Sequence, residues 1–163
     1  MAERHLWKAK PSLPLAAAAE IVDKALEAGR QHGLEPLSVA VLDTGGHLIA
    51  FKREDGSGIL RPRIAMGKAW GALGMGASGR LLRERLSDRP AFVAALTDAA
   101  EGRFVPVPGG VLVLDADGWT LGAVGISGDA SEKDEFCAIQ GIQAAGFQSE
   151  PAAPDEAWQQ AKL

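Results

Sequence analysis

Two cations in this chain stand where an anionic group can find them. Lys68 falls between Gly67 and Ala69 in a run of small residues, and Arg53 closes a run of strand-forming ones. An arginine takes a carboxylate through a two-pronged contact, a lysine as a point charge. The other reading leaves both solvated, or paired with Glu54 or Asp55. Acids gather further on, where Asp129, Glu132, Asp134 and Glu135 follow the strand end Gly125-Ile126-Ser127-Gly128. One reading has the free N–H groups of a helix start receiving an anionic ligand. The other has these acids satisfying that end themselves, with Ser131 and Asp134, or Asp129 and Glu132, as a capping box. Lys68, Asp134 and Glu135 are the groups best suited to move a proton.

Phe104–Val111 places two prolines before Gly109 and Gly110. The prolines stiffen the approach, and the glycines permit unusual backbone angles or close approach to a ligand. A plain strand-leading turn explains the same residues. Metal and nucleophile readings are few: Cys137, early in a helix, has either a lowered pKa or the role of a buried apolar residue, His47 follows a Gly-Gly turn and reads as exposed, and Met66 and Met75 read as packing residues. Asp115 and Asp117 flank a turn and suit turn chemistry. Ser127 is not in a G-x-S-x-G elbow, and the glycine spacing fits neither the Walker pattern nor a dinucleotide fingerprint.

The elements that position these residues follow from periodicity. Leu15, Ala18, Ala19, Val22, Ala25 and Leu26 mark one face of a helix that Ser12 caps and Gly29 or Gly33 ends. Leu37–Asp43 and His47–Arg53 read as a hairpin around Thr44-Gly45-Gly46. Pro62 opens a helix over Arg63–Met75 whose glycines, Gly67, Gly71 and Gly74, would let another backbone come close. Short helices follow at Ser78–Leu86 and Ala91–Ala100. A second hairpin runs over Val111–Asp115 and Trp119–Ile126, then a helix over Ser131–Ala145. The order implies an α+β fold, a mainly antiparallel sheet with helices packed on it. One domain over residues 1–163 is expected, with a core over 12–148 and a Pro- and Ala-rich tail over 149–163.

The totals restrict the partners. The 163 residues are 47% hydrophobic and 23% charged, with a net charge of −4. No basic stripe is present, so nucleic acid is not an expected partner. One cysteine rules out an intrachain disulfide and suits a reducing compartment. No apolar run approaches the roughly 20 residues that span a bilayer, and Met1–Lys10 lacks a signal-like apolar stretch, so the expected location is the cytoplasm.

Five stretches in this order resemble the GlcG/HbpS-like family, also called the haem-degrading domain family, which includes the C-terminal domain of PduO-type proteins. They are V-A-V-L-D-T-G-G-H-L at Val39–Leu48, F-K-R-E-D-G at Phe51–Gly56, I-A-M-G-K-A-W at Ile64–Trp70, P-V-P-G-G-V at Pro106–Val111 and G-A-V-G-I-S-G-D-A-S-E-K-D-E at Gly122–Glu135. The resemblance implies a sheet of about five strands and assembly into dimers or larger homo-oligomers. It implies one cleft bounded by Asp43, Arg53, Asp55, Lys68, Gly109, Gly110, Ser127, Asp134 and Glu135. It also implies haem or a related tetrapyrrole as the ligand, with His47, Met66 and Cys137 as iron-ligand candidates. Against this, the chain has no tyrosine, and its histidines fall outside the helix and turn motifs. Three functions follow as expectations. The chain binds a planar, carboxylate-bearing small molecule, with Arg53 and Lys68 neutralising its charge and Ala65, Ala69 and Trp70 as an apolar wall. Alternatively, it is an enzyme on a small organic acid, using Lys68 with Asp134 or Glu135. Or it is an accessory subunit of an oligomer.

Overall fold

A computed structural model describes residues 9–163, so His5 and the start of the chain lie outside the described residues. The elements run α1 (Leu15–Gln31), β1 (Ser38–Asp43), β2 (Leu48–Arg53), α2 (Arg61–Met75), α3 (Gly79–Leu86), α4 (Pro90–Ala99), β3 (Gly110–Leu114), β4 (Thr120–Ser127), α5 (Ser131–Ala144) and β5 (Gln148–Glu150), then a 3-10 turn at Trp158–Gln160. The strands form one antiparallel sheet in the order β2-β1-β4-β3-β5.

Strand alternation divides the core between the two faces of this sheet. Val39, Val41, Val111, Val113, Val124 and Ile126 point one way, onto Ile21, Val22 and Ala25 of α1 and Phe136, Ile139 and Ile142 of α5. Leu42, Leu112 and Ala123 point the other way, onto Ala69 and Ala72 of α2. Helix α2 therefore lies alone across the sheet centre, opposite the α1–α5 pair.

Its close seat on the sheet depends on glycine. A Cβ at Gly125 would collide with the carbonyl oxygen of Ala65, and one at Gly110 with that of Lys68. These sheet glycines let the α2 backbone rest on β3 and β4, with Ala65, Ala69 and Ala72 facing them. The helix's own Gly67 and Gly71 admit the chain at Arg103–Val105, whose Val105 N–H donates to the Gly67 carbonyl at 3.3 Å and whose Phe104 and Val105 side chains pack on the two glycines.

Two local expectations are corrected, and of the two glycines expected to end α1 it is Gly33 that does so. Ser12 does not cap α1: Pro14 stands there, and the Ser12 hydroxyl accepts the Thr44 N–H at 3.2 Å. Gly29 lies inside α1, packed on Leu37, while Gly33 follows its end with a positive φ of 65°. The segment read as a tail contains β5, which pairs Ser149 with Val113 and Glu150 with Leu112. Its short, polar sequence gives no strand signal by itself. Glu150 also accepts the Ser78 N–H at 3.0 Å, and the Trp158 ring stacks on Phe136 at 3.8 Å.

Candidate functional site

The two glycine-rich segments meet. Gly110 pairs with Gly125, and the Gly109 carbonyl accepts the Ile126 N–H at 2.9 Å. Gly109 has a φ of +105°, and a Cβ there would press on the Lys68 ammonium and the Ile126 carbonyl oxygen. The lysine side chain thus passes through room that only glycine leaves. It ends on Asp134, Nζ to Oδ2 2.9 Å, with the two side chains only 2% and 1% exposed. The other oxygen of Asp134 accepts the Asp129 N–H at 3.0 Å. Burial pushes the Asp134 carboxyl upward in pKa, and Lys68 and the Asp129 N–H offset part of that rise.

Neither proposed capping box forms. Helix α5 starts after Ala130 with no side-chain cap. Asp129 instead binds the N–H groups of Glu35 and Ala130 at 3.0 and 2.7 Å. Burial favours a higher pKa for Asp129, but these bonds and Lys133 lower it. Glu132 pairs with Arg83 at 2.6 Å, which holds its carboxyl low. Glu135 turns away from Lys68 to a buried pairing with Arg80, and desolvation raises its pKa against that partner.

The remaining candidates scatter. Lys68, Ser127 and Asp134 share a cleft of about 440 Å³ with Arg61, Ile64, Val105 and Val107, and Gly109 and Gly110 lie against Lys68 beneath it. Arg53 and Asp55 line a separate, shallow depression with Arg30 and Glu54. Asp43 pairs with Gly122 at the far end of β1, whereas Ser127 pairs with Ser38 at the near end. Five residues of strand put Asp43 about 17 Å away. There it closes the β1–β2 turn, its Oδ1 accepting the N–H groups of Gly45 and His47 at 2.8 and 2.9 Å. Burial opposes ionisation of Asp43, and these bonds more than compensate, so its pKa is lowered. Cys137 is buried in the core, its thiol pushed upward by desolvation, and it lines neither of the clefts beside α2. Among the described residues no group of three or more His, Cys, Asp or Glu side chains converges.

A second cavity of about 300 Å³ lies on the other flank of α2. Leu42, Leu48, Met66 and Trp70 make it apolar, and Arg63, Arg103 and Glu101 add charge, with Arg103 3.6 Å from the Glu101 carboxylate. The Arg103 guanidinium lies 4.6 Å from the Trp70 ring centroid. Helical spacing explains the division: Arg61, Ile64 and Lys68 share one flank, Arg63, Met66, Gly67 and Trp70 the other, with the alanines between. Arg53 and Lys68 thus serve different places, and Ala65 and Ala69 face the sheet rather than a ligand. Arg61, Arg63 and Arg103 were not singled out from the sequence. The i, i+7 spacing of Arg61 with Lys68, and of Arg63 with Trp70, was the available signal.

No helix among the described residues is long and apolar enough to cross a membrane. No curated protein matches the chain. Solved structures do. A double variant of HbpS from Streptomyces reticuli is 28% identical, with a TM-score of 0.71, over 90% of this chain and 96% of that one. The complex of PduOC with heme is 25% identical, with a TM-score of 0.73, over 83% and 96%. Klebsiella pneumoniae protein ORFY shares the fold at 20% identity, with a TM-score of 0.74 over 89% and 97%. The family described as "Haem degrading protein HbpS-like" matches residues 13–143, strands β1 to β4 and α2 included, and the chain belongs to that family.

Proposed function

We propose that this protein binds haem or a related tetrapyrrole in the apolar slot beside Trp70. The observation that carries the reading is the pairing of an apolar lining (Leu42, Leu48, Met66, Trp70) with the guanidinium of Arg63 and that of Arg103, which also meets the exposed Glu101 at 3.6 Å. A macrocycle presents a flat apolar face and carboxylate arms, and this slot offers a counterpart to each. It holds part of the ring, with the rest lying outward over exposed Leu48. Met66 brings a thioether into the slot, and His47 sits in the chain between the lining residues Gly46 and Leu48. These two are the iron-ligand candidates, and a bound haem would supply redox chemistry at its iron.

Haemin titration followed by absorbance tests this. A saturable Soret shift at micromolar protein is expected. Removing both guanidinium groups in Arg63→Ala/Arg103→Ala should weaken binding by roughly tenfold or more, and Met66→Ala or His47→Ala should alter the spectrum if that residue binds iron. Absence of a saturable shift overturns the reading. We also infer a cytoplasmic homo-oligomer. Assembly is supported by Phe92 of α4 and by Leu48 and Phe51 of edge strand β2, all exposed, and the cytoplasmic location by the single cysteine, which suits a reducing compartment.

A further inference from the structure

The cleft on the Lys68 flank of α2 carries an uneven charge. Its side-chain carboxylates Asp134, Glu132 and Asp129 pair with Lys68 at 2.9 Å, Arg83 at 2.6 Å and Lys133 at 3.3 Å, and Lys162 and Leu163 complete the lining. Arg61 has no such partner. Among the described residues it makes no ion pair. Its side-chain hydrogen bond donates to the Ser127 hydroxyl at 3.3 Å. The residue is half-buried, so part of its hydration is already lost. A guanidinium so placed is completed by an anion. Beside it the lining turns apolar, with Ile64, Val105 and Val107.

We propose that this cleft is a second binding site, for a small organic acid whose carboxylate seats on Arg61, which the buried Ser127 hydroxyl helps to hold, and whose hydrocarbon part rests on Ile64, Val105 and Val107. The neighbouring acids favour a singly charged ligand, because a phosphate dianion would meet Asp129, Glu132 and Asp134 at close range. The Lys68–Asp134 pair lies buried behind this lining. The site stands apart from the tetrapyrrole slot, since the two lie on opposite flanks of α2 and share no lining residue.

Calorimetric titration of the full chain with acetate, butyrate and hexanoate tests the proposal. Saturable binding is expected, rising by up to about fourfold per added methylene, with none for uncharged butyramide. Arg61→Met should weaken butyrate about tenfold or more and leave haemin binding unchanged, while Met66→Ala leaves butyrate binding unchanged. Should Arg61→Met lose its fold by circular dichroism, Val107→Asp supplies the second arm, placing a like charge on the apolar wall and abolishing butyrate binding. The proposal is overturned if no acid saturates, if butyramide binds as well as butyrate, if inorganic phosphate binds tighter than hexanoate, or if butyrate affinity survives both substitutions.

Discussion

Lys68 and Asp134 illustrate how differently a residue behaves once its neighbours are known. From spacing alone, Lys68 was an available cation and Asp134 a helix cap. Folded, they form a buried pair held between Gly109 and the start of α5. Removing one member of such a pair strands the other without water, at a cost of about 3–5 kcal/mol. We expect Lys68→Met to lower Tm by about 2–4 °C for each kcal/mol lost. The pH dependence has a definite sign. Burial already raises the Asp134 pKa, and losing Lys68 raises it further. A carboxyl whose folded pKa exceeds its unfolded value favours folding at low pH. That contribution fades as pH rises through the folded pKa. The Lys68→Met penalty should therefore shrink on acidification towards the ordinary carboxylate range, as denaturation at several pH values can read. Replacing both residues by apolar ones of similar volume should recover most of the loss. A penalty independent of pH would show that the pair is not what stabilises this spot.

At the scale of elements, α2 governs both clefts because one helix supplies a wall to each. Its height above the sheet is set by Gly125 and Gly110. Gly125→Ala would force the Ala65 carbonyl away, and overpacking of this kind costs about 1–3 kcal/mol. The expected result is a lowered Tm together with weakened haemin and butyrate binding, since the shift moves Met66 and Arg61 alike. An unchanged Tm would mean that α2 can rise without loss. Much at this scale was legible in the sequence. Both hairpins, the long α1 and the small-residue α2 emerge from alternation, helical spacing and turn residues at close to their observed bounds. What escaped was pairing across the chain. No local signal says that Glu135 turns to Arg80, or that Gly67 receives Val105 rather than a strand. The site residues split for the same reason: Asp43 and Ser127 bracket neighbouring strands that run in opposite directions, so closeness of motif to strand says nothing about which end of the sheet it reaches.

For the whole molecule, assembly is the property that the exposed apolar surface argues for. Helix α4 turns Val93 and Leu96 onto the cluster of Leu82, Leu86 and Phe104 but leaves Phe92 exposed. Light scattering of the purified protein should give a mass of two or more chains of 17.0 kDa, and Phe92→Asp should shift it towards one. A single-chain mass at micromolar concentration would defeat that expectation and leave Phe92 as plain surface.

The sheet also has an order of completion written into it. Strands β1, β2, β3 and β4 all precede α5, yet the outer edge of β3 is paired only by β5, beyond that helix. During synthesis, the apolar run Val111–Leu114 therefore gains β4 on one side soon after it emerges, while its other side is open. It stays open until Gln148–Glu150 appears. For that interval the nascent chain presents an unprotected strand edge, the feature most prone to pair with the wrong molecule. The three polar residues of β5 contribute little to the core, but they are the piece that closes this window.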